Sequence, residues 1–191
     1  MKSIIISDFK DTSFSLSEIV SLLHEAFKER EQQGIRMGGS TITEEELATI
    51  LEDAVLFTAS CDGLLIGMLS ARYSQRELKR KTEKYCHLGY VAVTQNEKRG
   101  GIGGRLLEHL EKDAIGKGCS YIISNTAEPA KSAVAWHLKH GFRKIKYTHW
   151  KSREYNSIVF RKELSHSFRK SFPIISDLLY LRPRLSFKLQ A

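Results

Sequence analysis

The chain has 191 residues, of which 30 are Lys or Arg and 22 are Asp or Glu, for a formal net charge of +8. Its 41% hydrophobic and 27% charged residues, with only three prolines, exclude a disordered, collagenous or low-complexity chain. A single domain of this length buries roughly 70% of the surface its unfolded chain exposes, so neither disulfides nor a structural metal is required.

The amino terminus offers Ile4, Ile5 and Ile6 before Asp8 interrupts, too short a run for a signal-peptide core or a membrane span. Ser15 followed by Glu18 is a capping box, and Leu16, Ile19, Val20, Leu23, Ala26 and Phe27 follow at helical spacing, which predicts a helix over 16–31. Thr43 and Glu46 repeat the signature and predict a second helix over 44–53, with a glycine-containing loop over 34–40 between them. Two apolar runs, 55–61 and 64–73, are separated only by Asp62-Gly63, the pair that best tolerates positive φ at both centres of a type I′ turn, and so form a hairpin. The segment 72–84 has six basic and two acidic residues and no sustained apolar period; it reads as a solvated connection, either a solubilising loop or an anion-binding one.

Residues 85–93 are rich in aromatic and β-branched types and read as a strand. A glycine-rich turn, Gly100-Gly101-Ile102-Gly103-Gly104, leads into a helix carrying Leu106, Leu107, Leu110 and Ala114 and closed by Gly116 and Gly118. A short strand over 121–124, a helix opened by Pro129 as its first residue and ended at Gly141, and strands near 142–150 and 155–162 complete the pattern. Interleaved helices and strands argue for an α/β sheet covered by helices. The tail 163–191 differs: it holds five basic and two acidic residues, and its short apolar face suits packing on the domain or on a second subunit better than binding a membrane surface. Cys61, Cys86 and Cys119 are odd in number and far apart, with no CxxC or zinc-ligand spacing. A reducing, cytoplasmic compartment is expected, with no metal. Cys119 reads as packing rather than as a nucleophile.

The strongest chemical signal is the order strand, glycine turn, amphipathic helix. Backbone N–H groups converge at a helix amino terminus and the helix dipole favours negative charge there, while Lys98, Arg99 and Arg105 add cations beside it. A phosphate cradle and a plain flexible turn both account for the glycines; the cations favour the cradle. The P-loop spacing is absent, and a dinucleotide fingerprint fails because Leu106 occupies its third glycine position.

The segment Lys98-Arg99-Gly100-Gly101-Ile102-Gly103 resembles the Arg/Gln-x-x-Gly-x-Gly/Ala pattern of the GNAT N-acetyltransferase superfamily, with Lys98 at the first position. A distant second segment, Ala133 to Phe142, resembles the family's late helix ending in Gly-Phe. The likeness covers 55–164 well, 4–54 by element order only, and not the tail. It implies an α/β (α+β) single domain over 1–162, with a mixed, mostly antiparallel sheet of six to seven strands and about four helices.

The resemblance further implies a site. Backbone groups of Val91, Ala92 and Val93 would line the pantetheine arm of acetyl-CoA, and one N–H would face the thioester carbonyl. Gly100, Gly101, Ile102, Gly103, Gly104 and Arg105 would hold the pyrophosphate beside Lys98 and Arg99, with Asn125 ending the next strand where two strands splay apart. The family's usual acid is a Tyr of the late helix, and His137 stands at that position. It shares a helix face with Ala130, Ala133 and Val134 and points inward, as an acid or as a hydrogen-bonded core histidine. His87 matches the position of the catalytic glutamate in the histone-acetylating branch, as general base or as an ordinary strand histidine. Strand alternation puts Tyr90 on the opposite face from His87.

The implied activity is direct transfer of an acetyl group from acetyl-CoA to a primary amine of a small molecule, in a ternary complex. A protein or peptide amine is the alternative acceptor. A non-catalytic coenzyme-binding regulator keeps the same fold, and a homodimer is possible. A nucleic-acid-binding module explains the basicity, but no recognition helix or stacked-aromatic motif is present, so no nucleic acid is expected.

Overall fold

A computed structural model describes residues 3–78, 81–150 and 154–164. Two capping boxes start the first helices. In α1 (Leu16–Gln32) the Ser15 hydroxyl accepts the Glu18 amide proton and the Glu18 carboxylate accepts that of Ser15 at 2.8 Å; Thr43 and Glu46 do the same for α2 (Glu44–Leu51). Seven strands follow or precede them: β1 (Ile4–Asp8), β2 (Ala54–Cys61), β3 (Leu64–Leu78), β4 (Lys81–Val93), β5 (Tyr121–Ala127), β6 (Arg143–His149) and β7 (Asn156–Glu163). They form one sheet in the order β1-β2-β3-β4-β5-β7-β6, and every pair is antiparallel except β4–β5. Asp62 and Gly63, at φ 50° and 78°, make the expected turn between β2 and β3.

The sheet is covered on both faces. Ile19, Leu23 and Leu47 of α1 and α2 pack against Leu56, Met68 and Ala92 on one face. Leu106, Leu107 and Leu110 of α3 (Ile102–Gly116) pack against Phe57, Leu69, Leu88 and Phe160 on the other, where Val134 and Trp136 of α4 (Lys131–Lys139) join them. All three cysteines are buried and reduced, and burial pushes the Cys86 thiol up to about 12. No helix among the described residues is long and apolar enough to cross a membrane.

Three expectations are corrected. The stretch 72–84 is not a connection: β3 and β4 continue through it as a two-stranded ribbon, with Arg76 opposite Glu83 and Gln75 opposite Lys84. The ribbon outruns its neighbours, since β2 reaches only Arg72 and β5 only Tyr85, so it needs no apolar face and shows no apolar period. Arg76 instead holds the buried Glu83 carboxylate through Nε at 2.8 Å. Second, β5 runs past residue 124 to Ala127 because β7 pairs with it throughout, up to Ala127 opposite Ser157. Third, α4 begins at Lys131 with Ala130 as its cap; Pro129 belongs to the preceding turn, where its carbonyl accepts the Lys131 amide proton at 2.8 Å. The tail from residue 165 onward, expected to pack on the domain or a partner, lies outside the described residues.

Candidate active site

The sheet opens between its two parallel strands. Residues 85–88 of β4 pair with 121–124 of β5, and the pairing stops there while β4 continues along β3 to Val93 and β5 along β7 to Ala127. A cavity of about 920 Å³ fills the gap, with Val91, Ala92 and Val93 on one wall and Asn125 on the other. Asn125 does not end its strand, but it is the first residue beyond the last β4–β5 pair.

A bulge decides which side chains face this cavity. Leu69 lies opposite Val91 and Ala71 opposite Leu88, so Ser70 alone faces both Gly89 and Tyr90. The Tyr90 amide donates to the Ser70 hydroxyl at 2.9 Å, and a Cβ at position 89 would lie 2.6 Å from that same oxygen, so any side chain there displaces the hydroxyl from this bond. The extra residue inverts the alternation: Cys86, Leu88, Val91 and Val93 pack toward α3, and His87, Tyr90 and Ala92 face the other way. His87 and Tyr90 therefore share a face, contrary to the simple strand count.

At the turn, Gly101 caps α3 at φ 81° with open space where a side chain would be, and Lys98, Arg99, Ile102, Gly103 and Gly104 also line the cavity. These N–H groups, helix terminus and cations suit a pyrophosphate. Lys98 meets Glu29 of α1 at 3.1 Å. Gly100 and Arg105 lie off the cavity wall, and Arg105 donates to the Ile4 carbonyl at 3.0 Å. Gly103 and Gly104 also let α4 approach: a Cβ there would lie 3.2 Å from Trp136 Nε1 and 2.7 Å from His140 Cε1.

The two histidines differ. His87 is half-buried on the cavity wall opposite Arg72, and burial and then the Arg72 charge hold its pKa below the ordinary 6.5. It is neutral at pH 7, the state a base requires. Arg72 is itself paired with Asp53 at 2.7 Å. His137 is buried, with Nδ1 2.7 Å from the Ala133 carbonyl and Nε2 3.0 Å from the Ser124 hydroxyl, and its ring stacks on Phe160 at 4.5 Å. A neutral imidazole donates to the first and accepts from the second, and burial lowers its pKa. Both nitrogens are engaged, which favours the core-histidine reading over the acid.

Residues 17–142 match the family described as "Acetyltransferase (GNAT) family". The chain belongs to the GNAT acetyltransferase family. Its fold is similar to a GNAT acetyltransferase of Elizabethkingia anophelis with acetyl-CoA bound (TM-score 0.60, 17% identity, covering 84% of this chain and 97% of that one). It is also similar to the paia N-acetyltransferase of Thermoplasma acidophilum in complex with coenzyme A (0.61, 18%, 84% and 99%). A third likeness is to the ribosomal-protein-S18-alanine N-acetyltransferase of Escherichia coli (0.61, 16%, 90% and 99%). No curated protein sequence matches the chain significantly.

Several residues of this GNAT cavity carry no motif. Ser70 and Ser124 are buried polar residues inside apolar strands, a signal visible in the sequence but without an assigned purpose. Arg30 resembles any exposed charge on an amphipathic helix, yet it lines the cavity. Among the described residues, no group of three or more His, Cys, Asp or Glu is placed to hold a metal ion.

Proposed function

We propose that this GNAT acetyltransferase moves the acetyl group of acetyl-CoA to a primary amine of a small molecule, in a ternary complex. The cavity residues of 98–104 hold the pyrophosphate, and the backbone of Val91, Ala92 and Val93 lines the pantetheine arm. The amine nitrogen attacks the thioester carbonyl, the amine proton passes to the neutral His87 imidazole, and the carbon–sulfur bond breaks to release coenzyme A as a thiolate that takes its proton from solvent, to which His87 returns one. His137 orients Ser124 and packs the core behind the site.

One observation carries the choice of a small acceptor. The Tyr155 hydroxyl donates to the Arg36 carbonyl at 2.5 Å, and Tyr155, like Met37, packs against the cluster of Ile35, Ala127, Ala130 and Ala133. Tyr155, just before β7, is thereby tied to the segment after α1, and this strap favours a small acceptor over a polypeptide running through the site. Release of coenzyme A thiol from acetyl-CoA, measured over a panel of free amines and of peptides with free amino termini, tests the reading. Turnover of free amines supports it; turnover of peptides alone assigns the alternative acceptor.

A further inference from the structure

Two cations in the cavity wall, Arg30 and Lys139, serve neither the glycine turn nor the base; Lys139 is exposed and Arg30 half-buried. Arg30, on the last turn of α1, lines the cavity with its guanidinium 4.8 Å over the Phe27 ring and Nη1 3.6 Å from the Met37 sulfur. A ring face and a thioether are weak partners for a full charge with five N–H donors. Among the described residues no carboxylate pairs with it, and its sequence neighbour Glu29 is engaged by Lys98. Burial pulls the Arg30 pKa down, with the Glu29 charge countering only in part. A partly desolvated charge in that position gains from an anionic ligand.

Its place fits an acceptor. Phe27 meets Tyr90 edge-on at 6.1 Å, and Tyr90 shares its strand face with His87, so Arg30 is joined to the wall that carries the base. Met37, which Arg30 touches, belongs to the strapped segment at the acceptor end. Glu29 and Glu97, both beside the glycine turn, are the only carboxylates among the described lining residues. An acceptor with a second ammonium finds no acid beyond them, whereas an acceptor carboxylate finds Arg30; Arg72, beside His87, is already paired with Asp53.

We propose that the acceptor is an amine that also carries a carboxylate, and that Arg30 binds that carboxylate while His87 faces the amine. The inference rests on the acetyltransferase reading and narrows its substrate.

The test uses matched pairs: α- and ω-amino acids and their carboxamides, each assayed with acetyl-CoA for thiol release, in the parent and in Arg30→Gln. Calorimetry of acetyl-CoA binding runs alongside. The acids should exceed their amides in kcat/KM by at least about 10-fold, the range of a charge-assisted hydrogen bond. In Arg30→Gln that ratio should fall to near one through KM. The ratio is internal to each variant, so any loss of folded protein cancels. Three results overturn the inference while the acetyltransferase reading stands: amides that match or beat the acids in the parent, an acid-to-amide ratio unchanged in Arg30→Gln, or an Arg30→Gln defect confined to acetyl-CoA binding. If acetyl-CoA binds but no amine or peptide is turned over, both readings fall.

Discussion

The hydroxyl of Ser70 accepts the amide proton of Tyr90 at 2.9 Å, in the place a side chain at residue 89 would claim. Gly89→Ala should therefore destabilise the fold and lower turnover. In a Ser70→Ala background the same change removes the 2.6 Å clash and should cost less. A double-mutant cycle from urea unfolding should give a coupling of about 0.5–3 kcal/mol; additive losses would mean that the bulge does not depend on this pair.

His87 should show itself in the pH profile. Burial and Arg72 both disfavour its imidazolium, so the acid limb of kcat/KM should fall below the ordinary 6.5. Arg72→Leu removes one of those causes and should move the limb to higher pH. His87→Ala should lower turnover at least ~10-fold with acetyl-CoA affinity retained. A profile identical in parent and Arg72→Leu would detach His87 from the rate.

Stability should respond to His137. Its folded pKa is depressed, so above the unfolded value near 6.5 both states are neutral and nothing is lost. As pH falls below that value the unfolded chain takes up a proton that the folded chain refuses, and stability drops by up to about 1.4 kcal/mol per pH unit for such a group. His87 and His140 are depressed as well and add to the loss. Urea midpoints at about pH 7.5 and about pH 5.5 should differ less in His137→Gln than in the parent.

The glycines of the turn should separate by what they face. Gly101→Ala meets open space and bears only the left-handed φ, at about 1–2 kcal/mol, and should lower acetyl-CoA affinity with a modest fall in Tm. Gly103→Val pushes on Trp136 and should lower affinity and Tm together. A Gly103→Val protein with unchanged Tm would refute the contact between α3 and α4.

What the sequence made legible was local. Ser15 with Glu18, Thr43 with Glu46, and Asp62-Gly63 each carry their geometry within a few residues, and the phosphate turn announces itself by glycines beside cations. The inward direction of His137 followed from helix periodicity, but its bond to Ser124 joins residues 13 apart and left no mark. The ribbon over 72–84 was illegible because its order comes from pairing across the hairpin, Arg76 with Glu83, and not from an apolar face. The shared face of His87 and Tyr90 was missed for a related reason. Gly89 in a strand hints at a bulge, but only register with Ser70 shows that the alternation inverts there. Arg30 sat in a regular amphipathic pattern in which any exposed charge looks alike.

The parting of β4 from β5 has a further consequence. Among the described residues, 89–93 have no strand beside them on that flank past Leu88 and Ser124, so a sheet edge lies in the middle of the sheet as well as at its rim. Such an edge is a template for added chain, whether an extended amide-bearing arm or a stray segment of another polypeptide. The opening is thus also a place where copies can misassociate. Coenzyme A present during refolding should raise the yield of dispersed protein, read by light scattering.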